Sequence, residues 1–278
     1  MHRLMLFVFG TVFVAQAFAD EARLEKLWQT EAVLKVPESV LYDAARDVLY
    51  VSNIDGSEPW ADDGKGSIAK IGLDGAVIAA EWISGLNGPK GMGLHGDFLY
   101  VTDNDDVVTI DIDAGEIVNR LPVPGAGQIN DLSVGADGTI YVTDSGLDQI
   151  YTLVDGEFKT IVDGLIALNG VHYSNGELLF ADNGGLHIVN GEGSYETIAS
   201  GMEGRVDGVE RVGNDSWLVS CWEGTVYYVT RDGSVTLLLD GRPDEISAAD
   251  LGYDPVNKVA YFPGFWKNYV VAYQLHLD

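Results

Sequence analysis

The stretch Val134-Gly-Ala-Asp-Gly-Thr-Ile-Tyr-Val-Thr-Asp144 sets a small polar turn against a short apolar strand, and the chain returns to that arrangement repeatedly. Echoes run over Tyr42 to Asn53, Leu94 to Asp103, Tyr173 to Asp182, Val212 to Cys221 and Tyr253 to Pro263. Asn-Gly and Asp-Gly corners accept the positive φ angles that tight β turns need, so each echo predicts a hairpin. A second alternating run and another turn follow, as in Gln149 to Val154, then Asp155-Gly156, then Glu157 to Val162. Units of about 40 residues with roughly four strands apiece predict an all-β fold, a six-bladed β-propeller of four-stranded antiparallel blades. The last unit is one strand short, and Leu27 to Val36 alternates like a strand ahead of the first unit. Docked as the outer strand of blade six, that N-terminal strand would close the ring and cover an exposed sheet edge. Beyond the N-terminal apolar run, only Asp20 to Leu27 carries a trace of helical period.

Upstream of the repeats, Met1-His2-Arg3 gives a short basic start, Leu4 to Gln16 is apolar, and Ala17-Phe18-Ala19 has the small-x-small pattern that signal peptidase reads. The expected organisation is a signal peptide over 1–19 and a single propeller domain over 20–278, exported to the periplasm or secreted. The 278 residues carry 43 acidic against 16 basic side chains, a formal charge of −27. Phosphate backbones and anionic membranes demand the opposite sign, so neither nucleic acid nor, after cleavage, a membrane is an expected partner. With 46% hydrophobic residues the acidity belongs to the surface of a folded protein, expected to be a monomer. The lone Cys221 excludes an internal disulfide and a cysteine-based metal site.

Aligning the units places Glu38, Lys90, Asn130, Asn169, Asp207 and Ala249 at one repeated point, where the innermost strand begins beside the central channel. Their spacings are 52, 40, 39, 38 and 42 residues, and the surplus in the first falls in the loop Ser57 to Gly66, which could carry Trp60 over the channel mouth. Glu38, Asn130, Asn169 and Asp207 offer two carboxylates and two amide oxygens converging on one axis. That set suits one hard divalent cation, calcium first, with Mg, Mn or Zn as alternatives. Lys90 either turns away to pair with Asp131 or Asp250 or hydrogen-bonds a substrate group.

Pro37-Glu38-Ser39-Val40, Ile129-Asn130-Asp131-Leu132, Leu168-Asn169-Gly170-Val171 and Val206-Asp207-Gly208-Val209 resemble the four metal-ligand motifs of the senescence marker protein, regucalcin and gluconolactonase family. The resemblance covers the chain from about Val33 to Leu275. It implies a cation in the channel on Glu38, Asn130, Asn169 and Asp207, lactone hydrolysis, and Asp207 as the general base. A cation-bound carboxylate is a feeble base, so Asp207 could instead orient the attacking water or attack as a nucleophile. The sugar-lactone members tend to carry an Arg where this chain has Gln128, which removes a guanidinium fork for polar substrate oxygens. Asp131 and Asp250 are further candidates for proton transfer, Trp222 a candidate apolar wall, and His172 is expected between blades.

No Gly-x-Ser-x-Gly elbow supports a serine hydrolase, and Asp111-Ile-Asp113-Ala-Gly115 fails as an EF-hand because position 122 is Pro. The negative field disfavours anionic substrates. The sequence thus predicts a divalent-metal-dependent lactonase-type hydrolase acting on a small neutral lactone or ester. The alternative is a noncatalytic propeller whose cation staples the blades and whose faces bind a ligand or protein.

Overall fold

A computed structural model describes residues 22–191 and 193–277, so the expected signal peptide lies outside the described residues. Six four-stranded sheets make up the fold, and every strand pair within them is antiparallel. The innermost strands are Pro37–Asp43, Pro89–His95, Ile129–Val134, Val171–Ser174, Val206–Gly213 and Gly252–Asp254. In five blades sheet order runs outward from the inner strand along the chain, and in the sixth the outermost strand is Arg23–Gln29 from the start of the described chain.

Burial follows position in the blade. Val48–Asn53 is buried at every residue because it is walled by its own blade and both neighbours, and its sequence is apolar almost throughout. The outermost strand Glu116–Pro122 is exposed at most positions and reads as mixed polar and apolar. The core is accordingly a set of wedges between consecutive blades. Blades four and five close on Leu179, Leu186, Val206 and Trp217, and blades one and two on Tyr50, Ile68, Leu99 and Val108.

The turns divide into two kinds. Asn175-Gly176 and Asp155-Gly156 have both residues at positive φ, 54° with 81° and 52° with 82°, which are the two-residue turns the sequence called for. At Asp137-Gly138 only Gly138 is positive, at 85°, within a longer corner where Asp137 Oδ1 accepts the Thr139 N–H at 3.0 Å.

Ring closure holds, with a shifted strand. Arg23–Gln29, rather than Leu27 to Val36, pairs antiparallel with Val270–His276, from Arg23 opposite His276 to Gln29 opposite Val271. The helical trace over Asp20 to Leu27 therefore yields to strand at its described end, because the edge of Val270–His276 supplies backbone partners that a short isolated helix lacks. Residues 30–36 cross to blade one, held where the Leu34 N–H donates to the Asn268 carbonyl at 3.1 Å and the Val36 N–H to Asn268 Oδ1 at 3.0 Å. Val36 has a φ of 55°, a left-handed value that ends the crossing before Pro37–Asp43 begins.

Candidate functional site in the central channel

Each candidate inner residue sits where its strand leaves regular pairing. Register breaks between Pro37 and Ser39, between Pro89 and Met92, between Ile129 and Leu132, and between Val206 and Val209. These breaks free Glu38, Lys90, Asn130 and Asp207 from the ladder and turn them toward the axis, as bulges do beside functional sites. A buried hydroxyl from the second strand of the blade takes up a backbone group left over at each break. Ser52 Oγ accepts from the Ser39 N–H at 3.0 Å, Thr143 Oγ1 from the Asp131 N–H at 2.9 Å, and Ser220 Oγ from the Gly208 N–H at 3.0 Å. Thr102 Oγ1 donates to the Asn130 carbonyl of the next blade. Blade four has Ala181 at this point, and the Asn169 backbone is held there by its N–H on the Ala181 carbonyl at 3.0 Å.

Glu38, Asn130, Asn169 and Asp207 line one cavity of about 370 Å³ at one end of the channel. Burial, then the charge of Asp207, holds the Glu38 carboxyl well above the usual carboxylate range. Burial, then the charge of Asp250, does the same to Asp207. Glu38 Oε2 and Asn169 Oδ1 are buried without a hydrogen-bond partner. Unpartnered buried oxygens and mutually repelling carboxylates are the chemistry of a cation site, and all four side chains offer oxygen. Among the described residues no three His, Cys, Asp or Glu side chains cluster as metal ligands, so a cation here must rest on two carboxylates and two amides. The donor set fits a hard divalent ion and does not fit a thiolate or imidazole centre.

Lys90 does not pair with Asp131 or Asp250, although it does line the cavity. Its Nζ donates to the carbonyls of Gly88 at 2.7 Å and Pro59 at 2.9 Å and lies 3.6 Å from the centre of the Trp60 ring. Burial lowers its pKa to about 8 against the pull of Glu38 and Asp103. The loop Ser57 to Gly66 is thereby drawn over the cavity, and Pro59 and Trp60 are part of its lining. Trp222 is a wall residue, with the Arg205 guanidinium 4.7 Å from its ring.

Three other candidates lie elsewhere. Gln128 is exposed and absent from the lining, its N–H held by Asp144 Oδ1 at 2.9 Å. Asp131 and Asp250 line a separate cavity of about 140 Å³ together with His172 and Glu210. Asp131 accepts the Leu132 and Val171 N–H groups at 2.6 and 2.7 Å, and Asp250 accepts from the Ser39 hydroxyl. Both therefore pin neighbouring blades together, because one residue past the inner position alternation points the side chain to the other side of the strand. His172, expected between blades, faces this second cavity, and burial and the Arg211 charge push its pKa down to about 4.

Sequence reasoning missed Ser145, whose Oγ accepts from Asn130 Nδ2 at 3.2 Å, and the aromatic pair Phe265-Trp266. The pair lies in a short turn after Pro263, where two adjacent large rings outside a strand were a usable signal.

The fold and cavity together define a six-bladed propeller with an oxygen-lined site at one channel end. No protein-family model matches the chain, and no curated protein matches it. Solved structures similar to it include a gluconolactonase from Xanthomonas campestris, 19% identical, with a TM-score of 0.68, covering 93% of this chain and 91% of that one. A streptogramin B lyase is 12% identical with a TM-score of 0.67, covering 92% and 98%. A chain of the nidogen/laminin complex is 17% identical with a TM-score of 0.65, covering 78% and 84%. The likeness is one of fold, shared by proteins whose descriptions differ, so function is argued from the site.

Proposed function

We propose that the protein is an exported, monomeric hydrolase that uses one divalent cation, calcium first, to open a small neutral lactone or ester at the mouth of the channel. One observation carries the reading: Glu38, Asn130, Asn169 and Asp207 reach a single cavity from four different blades, two of them with a buried oxygen left unpartnered. The leader-like N-terminus supports export, and the similarity of fold to a gluconolactonase is consistent with the chemistry.

A bound divalent cation supplies Lewis-acid polarisation of a carbonyl oxygen. The chain supplies the rest. Asn169 donates to Asp207 and orients its carboxylate. Asp207 positions a water and accepts its proton while the water oxygen bonds to the acyl carbon. The acyl–oxygen bond then breaks and the proton passes to the departing alkoxide, giving a hydroxy acid from a lactone or an acid and an alcohol from an ester. Trp60 and Trp222 narrow the cavity and limit bulk water. The test is pH-stat hydrolysis of a panel of lactones, esters and phosphotriesters by calcium-loaded protein, with and without chelator. Chelator-sensitive lactone turnover is expected, and turnover unaffected by chelation would refute the reading. Cation-dependent melting without turnover on the panel would favour the noncatalytic, cation-stapled propeller.

A further inference from the structure

Away from the four converging oxygens, the cavity wall is apolar and aromatic. Trp222 and Phe265 meet edge to face at 5.7 Å between ring centres, and Phe265 and Trp266 at 4.8 Å. Ile54 and Leu168 continue the wall, and Trp60 covers it from the loop of blade one. Trp266 is 46% exposed and Ile166, next to the lining residue Ala167, is 70% exposed, so an apolar rim leads from solvent to the wall. Two residues of the lining, Ala167 and Phe265, hold left-handed φ angles of 53° and 43°. Such conformations are costly for residues with a Cβ and persist where the surroundings enforce a particular side-chain placement.

The polar groups of the lining are partly engaged. Lys90 donates to two carbonyls and faces Trp60, and the Arg205 side chain donates through Nε alone to Glu223 at 2.9 Å while its guanidinium lies on Trp222. Ser145 accepts from Asn130 and keeps only its own proton free. With Glu38, Asn130, Asn169 and Asp207 assigned to the cation, a polyhydroxylated ring would find the Arg205 Nη groups and the Ser145 hydroxyl as partners and would leave its remaining hydroxyls unpaired against the aromatic wall. Each such group would weigh against binding. An alkyl or aryl substituent would meet the carbon of Ile54, Leu168, Trp222 and Phe265.

We infer that the substrate carries an apolar alkyl or aryl substituent held against Trp222, Phe265 and Trp266, and is an alkyl or aryl lactone or ester rather than a sugar lactone. This rests on the hydrolase reading for its chemistry and on the wall alone for its selectivity, so the two are tested separately. Hydrolysis by the calcium-loaded protein is compared on δ-decanolactone and glucono-δ-lactone, which share a ring and differ in substituents. Binding is compared by tryptophan fluorescence with the hydrolysis-resistant lactams of the same shapes, 6-pentyl-2-piperidinone and gluconolactam. The expected result is a preference of about tenfold or more for the pentyl compound in both measurements. Trp222→Ala should weaken pentyl-lactam binding by about tenfold and raise KM for the pentyl lactone, with calcium affinity measured alongside to show that the site is intact. If neither lactone is hydrolysed, the hydrolase reading fails and lactam binding still decides the inference. Equal binding of the two lactams, tighter gluconolactam, no binding of either, or an unchanged Trp222→Ala would overturn it.

Discussion

At the scale of single residues, the inner position of a blade reaches the channel where its strand leaves regular pairing. Glu38, Asn130, Asn169 and Asp207 share a cavity as their alignment implied, because the break in strand register recurs at the same point of blades one, three and five and Asn169 sits just ahead of its own strand. Lys90 occupies the equivalent point of blade two, but its length lets it reach the loop of blade one, a contact no local pattern encodes. Removing one of two carboxylates from a buried cation site should cost about 3–5 kcal/mol, so Asp207→Asn and Glu38→Gln should each weaken calcium binding by about 10²- to several-thousand-fold in a calorimetric titration. An unchanged affinity would remove that residue from the site. For Lys90→Met the expected effect is local: faster amide exchange across the loop Ser57 to Gly66, with the blades protected as before. Equal exchange in the loop would mean that Lys90 does not hold it.

At the scale of elements, the unit that matters is the inner strand with its bulge and the hydroxyl of the strand beside it. The sequence displays this as the Ser or Thr of Tyr50-Val51-Ser52, Tyr100-Val101-Thr102, Tyr141-Val142-Thr143 and Leu218-Val219-Ser220. Its purpose is visible only in three dimensions, where each hydroxyl satisfies a backbone group released by the bulge. Thr143→Val keeps the shape and removes the partner of the Asp131 N–H. It should cost about 1–3 kcal/mol in denaturant unfolding. A change within error would show that another group satisfies that amide. The closing strand teaches the same lesson about pairing. Alternation extends through residues on both sides of Leu27, and the partner strand Val270–His276 decides which of them are used. Trp28 anchors the result by donating to the Leu73 carbonyl of blade one at 2.9 Å and packing 5.8 Å from Tyr261, so it spans the seam of the ring.

At the scale of the whole molecule, six blades bring buried carboxylates to one axis, and their repulsion is a stability cost whenever no cation is present. The fold class was readable from the repeats; the division of the axis into two cavities, one with Glu38 and Asp207 and one with Asp131 and Asp250, was not, because it depends on which face of each strand a residue occupies. Burial raises the Asp250 pKa from 3.8 to about 7. Between those values the folded state holds a proton that the unfolded state has released, so stability falls as pH rises through that window. The cation-free protein should therefore melt higher near pH 5 than near pH 8, and Asp250→Asn should flatten the dependence and stabilise the protein near pH 8 by about 1–2 kcal/mol. A melting temperature that rises from pH 5 to pH 8 in cation-free protein would contradict this account of Asp250. On the proposed calcium reading, calcium at about a hundred times its dissociation constant would contribute roughly 2.7 kcal/mol to the folded state, so chelation should lower the melting temperature by about 5–10 °C. The most direct test of the hydrolase reading is proton release from a lactone followed by pH-stat, with the protein calcium-loaded, chelated and calcium-restored, and with Asp207→Asn in parallel. The account predicts turnover that is lost on chelation, regained with calcium, and reduced by about 10²-fold or more in Asp207→Asn. Undiminished turnover in the chelated protein, or in Asp207→Asn, would contradict it.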